Sequence, residues 1–272
     1  MGRCVVRAAG SGGEGVSPEM TKRSSTGRRR LLGCGCASCL ALSLSLGRAE
    51  AGTASGTASA ERYNVRMAEA MDTGMAAYEE LMQERKRVLL GGEAHGVVAE
   101  LGIGAGPNLR YYDPKRVARV VGVEPNAAMD EFARKRATAS GVELEMKRGV
   151  AEGLPLGDRS VDTVVSTLVL CSVADQAASL REVARVLRPG GTFLFIEHVA
   201  APRGTWLRVA QDALNPLQMA VADGCHLNRD TGDVIRAAAA EAGLFPAGLD
   251  LERFDVDAGF ISPHIAGVAR TL

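Results

Sequence analysis

The sequence predicts an α/β fold with a mostly parallel sheet that is covered by helices on both faces. Between residues 96 and 200, short apolar runs alternate with amphipathic stretches, which is the pattern of strands joined by helical crossovers. A glycine-rich turn follows the first of these apolar runs, at residues 102–106. Two further apolar runs near the end, at 248–254 and 261–269, lie too close together for a crossover helix. We therefore expect that last pair to be antiparallel.

The first 51 residues have the composition of a targeting leader that is removed from the mature protein. Residues 1–48 carry eight basic and two acidic side chains, a net charge of +6, so the remaining chain carries −6. Residues 1–30 are rich in Arg, Ser and Gly, as in transit peptides. Behind them, three arginines at 28–30, an uncharged stretch at 31–47 and the small-residue site Ala49-Glu50-Ala51 form a second, secretory type of signal. A transit peptide followed by a secretory type of signal predicts a plastid protein whose final compartment is the thylakoid. A mitochondrial leader and a membrane anchor are the alternatives.

The rest of the chain divides into a linker, an N-terminal helical lid and one large domain. Residues 52–60 are small and predict a flexible linker, and residues 61–95 predict the lid, with an amphipathic helix from Glu61 to Leu89. Its methionine-rich stripe is more typical of core packing than of a substrate site. The domain follows at 96–272. Its predicted strands are 97–101, 118–123, 142–147, 161–170, 192–197, 248–254 and 261–269, and its clearest helix is 176–187.

The turn after the first strand has the features of a nucleotide-binding loop. It contains Gly102, Gly104 and Gly106, which allow positive φ angles and close approach of a ligand to the backbone. The spacing is G-x-G-x-G, whereas dinucleotide sites usually have G-x-G-x-x-G. Glu100 precedes the loop, and a carboxylate there repels a diphosphate but pairs with an ammonium group. The second strand ends at Glu124, at the spacing expected for a carboxylate that holds ribose hydroxyls.

These motifs resemble the class I S-adenosylmethionine-dependent methyltransferases, in the branch similar to ubiquinone and menaquinone methyltransferases. A narrower similarity is to the group that includes the membrane-associated alkyl thiol methyltransferases. The segments that carry it are 166–173, 195–200, 223–227 and 263–267. The resemblance implies a doubly wound, seven-stranded, Rossmann-like sheet with an antiparallel last strand, and S-adenosyl-L-methionine as cofactor. It assigns Glu100 and the loop glycines to the methionine part of the cofactor, Glu124 to the ribose, and Ala151 with Glu152 to the adenine.

The full set of expected cofactor-binding residues is Glu100, Gly102, Gly104, Gly106, Asn108, Glu124, Pro125, Ala151, Glu152 and Thr167. One departure is Val150, which stands where many relatives have Asp or Asn against the adenine amine. Adenine recognition is then expected to depend on backbone groups near Ala151.

Three residues are the candidates for the acceptor side: Asp223, His226 and His198. The segment 206–221 predicts a lid over the acceptor, broken at Pro216. Cys171 is expected to be a small buried residue, and no metal site is expected, because Cys225 and His226 are adjacent ligands without evident partners. The acidic domain argues against a nucleic-acid partner.

The resulting interpretation is an enzyme that methylates a small-molecule acceptor, either a lipophilic thiol or a quinone or phenol, with peripheral membrane association as a further expectation. A thiol needs little help from a general base, since its usual pKa lies near ~8.5. An NAD(P)-binding oxidoreductase and a non-catalytic cofactor sensor are the alternatives from other classes.

Overall fold

The computed structural model describes Val65, Arg66, Ala68, Glu69 and residues 73–272. The leader at 1–51, the linker at 52–60 and part of the methionine stripe, including Met67 and Met71, lie outside the described residues. Within the described part of the chain, no helix combines the length and the hydropathy that a membrane span requires.

A seven-stranded sheet forms the centre of the fold, in the order β3-β2-β1-β4-β5-β7-β6. The strands are β1 (Gly96–Leu101), β2 (Val117–Val123), β3 (Leu144–Lys147), β4 (Val161–Thr167), β5 (Leu187–His198), β6 (Gly248–Asp255) and β7 (Pro263–Arg270). The helices are α1 (Ala76–Glu93), α2 (Asp130–Ser140), α3 (Gln176–Val186), α4 (Trp206–Val221) and α5 (Thr231–Ala240). The pairs among β1 to β5 are parallel, whereas β7 runs antiparallel to both β5 and β6. The expected seven-stranded sheet and the antiparallel hairpin are both confirmed.

Helices bury apolar side chains on both faces of the sheet, as expected for a doubly wound fold. On one face, α3 and α5 pack Leu180, Val183 and Ile235 against the phenylalanines of β5. On the other face, α1 and α2 pack Leu90 and Ala137 over β1 and β2. Burial of this apolar surface is the main force that holds the layers together.

Helix α1 lies against β5 and β7, on the side where β5 ends. Its Tyr78 and Met82 are buried with Ile196 of β5 and Ala266 of β7. The expectation that the methionine stripe is core is correct for Met82, which is 1% exposed. The helix continues to Glu93, past the predicted end at Leu89 and through two glycines, because Leu90 is buried and holds the last turn against the sheet.

Strand β4 and helix α4 also differ from the sequence prediction. Strand β4 ends at Thr167 instead of residue 170, because Leu168 takes a positive φ of 57° and turns the chain out of the sheet. Helix α4 runs unbroken through Pro216, where a break was predicted; that prediction was wrong. Proline removes the hydrogen bond to the carbonyl of Asp212. Both residues are exposed, so solvent reaches the side of the helix on which the bond is lost.

Candidate functional site

The glycine-rich loop after β1 has the backbone conformation that only glycine adopts without strain. Gly102, Gly104 and Gly106 have φ angles of 51°, 54° and 79°. A Cβ on Gly106 would lie 2.6 Å from Leu109 and 3.2 Å from the Cα of Ala133, so Gly106 is needed for packing. A Cβ on Gly104 would have only the Gly102 carbonyl oxygen nearby, at 3.9 Å. Gly104 therefore faces open space at the carboxyl edge of the sheet, where the loop can cradle a ligand.

Glu124 closes this crevice from the end of β2. Its Oε2 accepts a hydrogen bond of 3.0 Å from the N–H of Gly104, and its Oε1 accepts one of 2.9 Å from the N–H of Asn126. Burial raises the pKa of Glu124, and the two backbone donors oppose that shift. A carboxylate has about four acceptor sites, so two remain for the hydroxyls of a ribose. Pro125, the next residue, is exposed beside them.

Glu100 ends β1 underneath the glycine-rich loop and is 2% exposed. The hydroxyl of Tyr112 donates to its Oε2 at 2.7 Å, and the amide of Asn108 donates to its Oε1 at 2.9 Å. Burial raises the pKa of Glu100 to about 7; these two hydrogen bonds and the charge of Lys86 oppose the rise. A nearby cation would favour the ionised form of this carboxyl group. Sequence reasoning did not find Tyr112, because a tyrosine in a loop carries no signal of its contact partner.

The hydrogen bonds of Asn108 indicate whether a cation fits beside Glu100. Its amide group donates to both Glu100 and Thr167, the latter at 3.1 Å, and no partner among the described residues reaches its buried Oδ1. A buried acceptor without a partner indicates that a donor is missing from the site. The ammonium group of S-adenosylmethionine supplies such a donor next to the carboxylate of Glu100. The donor set therefore fits the methionine part of this cofactor, and Glu100, Asn108 and Thr167 come together as expected.

The expected adenine segment lies on the adjacent loop after β3. Ala151 is buried, and Oε1 of Glu152 accepts hydrogen bonds from the N–H groups of Ala174 and Asp175. Glu152 thus ties this loop to the start of α3. Val150 is 51% exposed, so it offers an apolar surface at this edge.

The three expected acceptor-side residues do not form a single group. Asp223 is exposed with a φ of 48°, and its charge reaches Glu124 and contributes to the raised pKa of that residue. His226 is tied to the backbone, since its Nδ1 lies 3.1 Å from the carbonyl oxygen of Cys171. His198 is 2% exposed at the end of β5, and its Nε2 lies 3.1 Å from Sγ of Cys225.

Two cysteines, Cys171 and Cys225, lie beside His198, and the sequence did not predict that these three residues are close together. Cys171, Cys225 and His198 place one ligand-type atom each within 4.8 Å of one another. The premise that Cys225 lacks partner ligands was therefore wrong. The three residues are distant in sequence, and only the meeting of β4, β5 and the loop after α4 brings them together. Tyr78 and His264 form the adjacent wall, with Tyr78 Oη 3.1 Å from His264 Nε2.

Comparisons with known proteins agree with this geometry. The chain matches the family described as "Methyltransferase domain" over residues 99–195, which run from the middle of β1 into β5. It is 37% identical to Thiol S-methyltransferase TMT1A of Homo sapiens over 205 residues, which cover 71% of this chain and 80% of that protein. The fold is similar to that of the YcgJ protein of Bacillus subtilis, with a TM-score of 0.52, 20% identity and coverage of 69% of this chain and 98% of that one.

A second solved structure is a geranyl diphosphate methyltransferase in complex with GPP and sinefungin, an analogue of S-adenosylmethionine. Its TM-score is 0.56 at 17% identity, over 73% of this chain and 80% of that one. At this identity the likeness concerns the fold. The methyltransferase match sets aside the oxidoreductase and sensor alternatives. With its glycine-rich loop, its two carboxylates and its extensive identity to TMT1A, the chain belongs to the class I S-adenosylmethionine-dependent methyltransferases, among the relatives of the thiol S-methyltransferases.

Proposed function

We propose that the methyl acceptor is the sulfur atom of a small lipophilic thiol. The observation that carries this proposal is the 37% identity to a thiol S-methyltransferase over 80% of that protein's length. The identity extends well beyond the 97 residues at 99–195 that match the general methyltransferase domain. The similarity to the thiol S-methyltransferase therefore includes regions outside the cofactor-binding loops.

S-adenosylmethionine supplies an electrophilic methyl group on a sulfonium. Glu100 and Asn108 would hold its ammonium group, and Glu124 would hold its ribose. These contacts fix the donor at the carboxyl ends of β1 and β2. Because methyl transfer is an in-line displacement that loses charge, positioning and exclusion of water supply most of the acceleration.

The acceptor side of the site lies at the carboxyl ends of β4 and β5. His198, Cys171 and His264 are each at most 2% exposed there, which provides a dry environment for a sulfur nucleophile. Burial lowers the pKa of His264 to about 4, so its ring is neutral near pH 7 and adds no cationic charge beside the incoming sulfonium.

The test is a transfer assay with methyl-labelled S-adenosylmethionine and three acceptor classes: alkyl thiols, phenols and quinones. We expect labelled thioether from the thiols, lost in Glu124→Ala and retained in Glu145→Gln, a half-exposed carboxylate on β3. Labelled phenol ether or methylated quinone without any labelled thioether would overturn the proposal and favour the quinone or phenol alternative.

We also propose that α4 brings the protein to a membrane surface, where lipophilic acceptors are concentrated. Trp206, Val209 and Leu217 are 77%, 67% and 47% exposed on this helix, and Gln211 is its only residue that is fully buried. Exposed apolar rows of this kind are typical of interfacial helices.

Trp206 is the only tryptophan in the sequence, so its fluorescence reports on α4 directly. With phosphatidylcholine vesicles we expect a blue shift, which Val209→Ser with Leu217→Ser weakens and Val88→Ser, an exposed valine of α1, does not. An unchanged emission spectrum at saturating lipid would overturn this proposal.

The leader at 1–51 supports a proposal on location: import into the plastid, followed by transfer to the thylakoid. A fusion of residues 1–51 to a fluorescent protein is expected in plastids, and lysine at positions 28–30 is expected to stop only the second step. Fluorescence in mitochondria or at the secretory pathway would contradict it.

A further inference from the structure

Two cysteines and a histidine converge beside the acceptor side of the crevice, and they have the donor atoms of a metal site. Cys171 follows β4, His198 ends β5, and Cys225 lies in the loop after α4. The His198 Nε2 to Cys225 Sγ distance is 3.1 Å, and all three ligand-type atoms lie within 4.8 Å. Bond lengths of about 2.3 Å to sulfur and 2.0–2.1 Å to nitrogen place tetrahedral zinc ligands roughly 3.5–3.8 Å apart. Small side-chain shifts are enough to reach that geometry.

The chemistry of the three residues favours a metal over a simple hydrogen-bonded cluster. Among the described residues, the only hydrogen-bond contact of the buried His198 ring is between its Nε2 and Cys225 Sγ, so no other protein group competes with a cation for that nitrogen. Arg229 lies within electrostatic range of both sulfurs, and its guanidinium is fixed by the carbonyl oxygens of Leu170 and Val173. This positive charge favours thiolates, which are the form that binds metal.

Zinc binds sulfur as the thiolate, so binding of the metal to this cluster releases the thiol protons of Cys171 and Cys225.

The geometry points to a Zn²⁺ site formed by Cys171, Cys225 and His198, whose fourth position takes the sulfur of the thiol acceptor. Soft thiolate ligands select zinc among the common divalent ions, and three protein ligands with an open position are typical of catalytic zinc. Cys225 is partly exposed, whereas Cys171 and His198 are buried, so we expect a thiol to reach the open position from the Cys225 side. The cluster lies at the same edge of the sheet as Glu124, because Cys171 follows β4, His198 ends β5 and Glu124 follows β2 in the parallel part of the sheet.

This inference rests on the thiol acceptor proposed above, and it gives that acceptor an activation step. The thiol binds zinc and its S–H proton leaves to water at the open side, which forms a zinc-bound thiolate. The thiolate sulfur attacks the methyl carbon, and the electron pair of the broken carbon–sulfur bond stays on the cofactor's sulfur. The resulting thioether is neutral and a weak ligand, so it leaves the metal.

The test uses the full chain with Cys4, Cys34, Cys36 and Cys39 replaced by serine, so that only Cys171 and Cys225 remain. We expect equimolar zinc by mass spectrometry, and a thiolate-to-cobalt charge-transfer band after exchange with Co²⁺. Cys225→Ser and His198→Gln are expected to weaken metal binding by about 100-fold or more, since loss of even an outer partner costs about 10–100-fold. Glu145→Gln, on β3 at the far edge of the sheet, is the control and retains the metal. Equal metal content in all of these variants, or no metal in any, would overturn the site.

A second measurement separates this inference from the proposed function. Addition of 6-mercaptohexanol is expected to change the cobalt spectrum, whereas 1,6-hexanediol leaves it unchanged. S-adenosylhomocysteine is expected to raise the melting temperature of Cys225→Ser as it does that of the parent protein, which shows an intact fold and cofactor site. Full-rate thiol methylation by metal-free protein would overturn the zinc inference and leave the thiol acceptor standing. Zinc-loaded protein that methylates no thiol would overturn the proposed function instead.

Discussion

The carboxylate of Glu124 accepts a hydrogen bond from the backbone N–H of Gly104, across 3.0 Å and 20 residues of sequence. This bond connects the loop after β1 to the end of β2, the two segments that enclose the cofactor crevice. Glu124 therefore fixes the conformation of the loop, and its remaining acceptor sites are the ones that we propose for the ribose hydroxyls.

The first prediction concerns this carboxylate. Glu124→Ala is expected to raise the Kd for S-adenosylhomocysteine by about 10-fold or more, because it removes charged hydrogen bonds to the ligand and frees the loop. Isothermal calorimetry measures the change, with Glu145→Gln as the control that leaves the Kd unaltered. An unaffected Kd in Glu124→Ala would remove this residue from the site.

The second prediction separates two glycines of the loop. Gly104→Ala places a methyl group in open space, so it is expected to weaken cofactor binding while its cost in stability is limited to about 1–2 kcal/mol for the positive φ. Gly141→Ala is the matched control: it has a φ of 71°, no neighbour within 4 Å and a position at the end of α2, so it reports the strain alone. Gly106→Ala is expected to lower Tm further, because its Cβ would meet Leu109 and Ala133. If Gly104→Ala binds S-adenosylhomocysteine as tightly as Gly141→Ala does, the cradle has been misplaced.

The third prediction is a pH dependence that originates at Glu100, whose pKa burial raises to about 7. The ammonium group of the ligand favours the ionised carboxylate, so affinity for S-adenosylhomocysteine is expected to increase as the pH rises through the range below about 7. The stability of the ligand-free protein is expected to change with pH in the opposite direction. Unfolded Glu100 ionises near its usual pKa of 4.5 while the folded form keeps its proton, so the free energy of unfolding falls as the pH rises from about 4.5 to about 7.

Glu100→Gln tests both signs of this dependence. Its binding is expected to be weaker and independent of pH over that range, as measured by calorimetry. The stability slope is expected to shrink and not to vanish, because burial also raises the pKa of Glu197 to about 7. A wild-type pH profile in Glu100→Gln would assign the titration to another group.

The fourth prediction concerns the buried cation of α1. Lys86 is 1% exposed and pairs with Glu79, whose side chain is 13% exposed. Lys86→Met removes the nearer cation from that carboxylate and leaves only Arg110, at 4.0 Å, so it is expected to cost about 3–5 kcal/mol of stability. Addition of Glu79→Gln to Lys86→Met is expected to recover much of the lost stability. The control is Arg87→Met, which breaks an exposed pair with Glu84 and is expected to change stability by less than about 1 kcal/mol. Denaturant unfolding gives these values, and equal effects of Lys86→Met and Arg87→Met would contradict the prediction.

Local patterns in the sequence were enough to predict the cofactor half of the site. Glu100, the loop glycines and Glu124 each stand at a fixed distance from the end of an apolar strand, and parallel strands bring their carboxyl ends to one edge. The C-terminal hairpin was predictable for a similar reason, since its short connection allows only an antiparallel pair. Pro216 misled because the hydrogen bond that it removes lies on the exposed side of α4, where solvent can replace the bond.

The acceptor half was not predictable, because its contacts join distant parts of the chain. Cys171 and Cys225 are separated by 54 positions, and nothing in either segment specifies the other. On the cofactor side, Tyr112 was missed although it is only 12 positions from Glu100, because a tyrosine in a loop carries no signal of its contact partner. Patterns with a short period predict strands and turns, whereas a contact such as that between Cys171 and Cys225 forms only in the completed tertiary structure.

The position of β7 has a consequence for how this protein folds. β7 lies between β5 and β6, so until it docks, the buried residues 192–198 of β5 present an unpaired apolar edge. The 64 residues at 199–262 separate the two strands, and loop closure over that length makes such pairing slow. Intermediates with this edge open are prone to intermolecular strand pairing, and chaperone assistance during that interval is expected to determine how much protein reaches the native state.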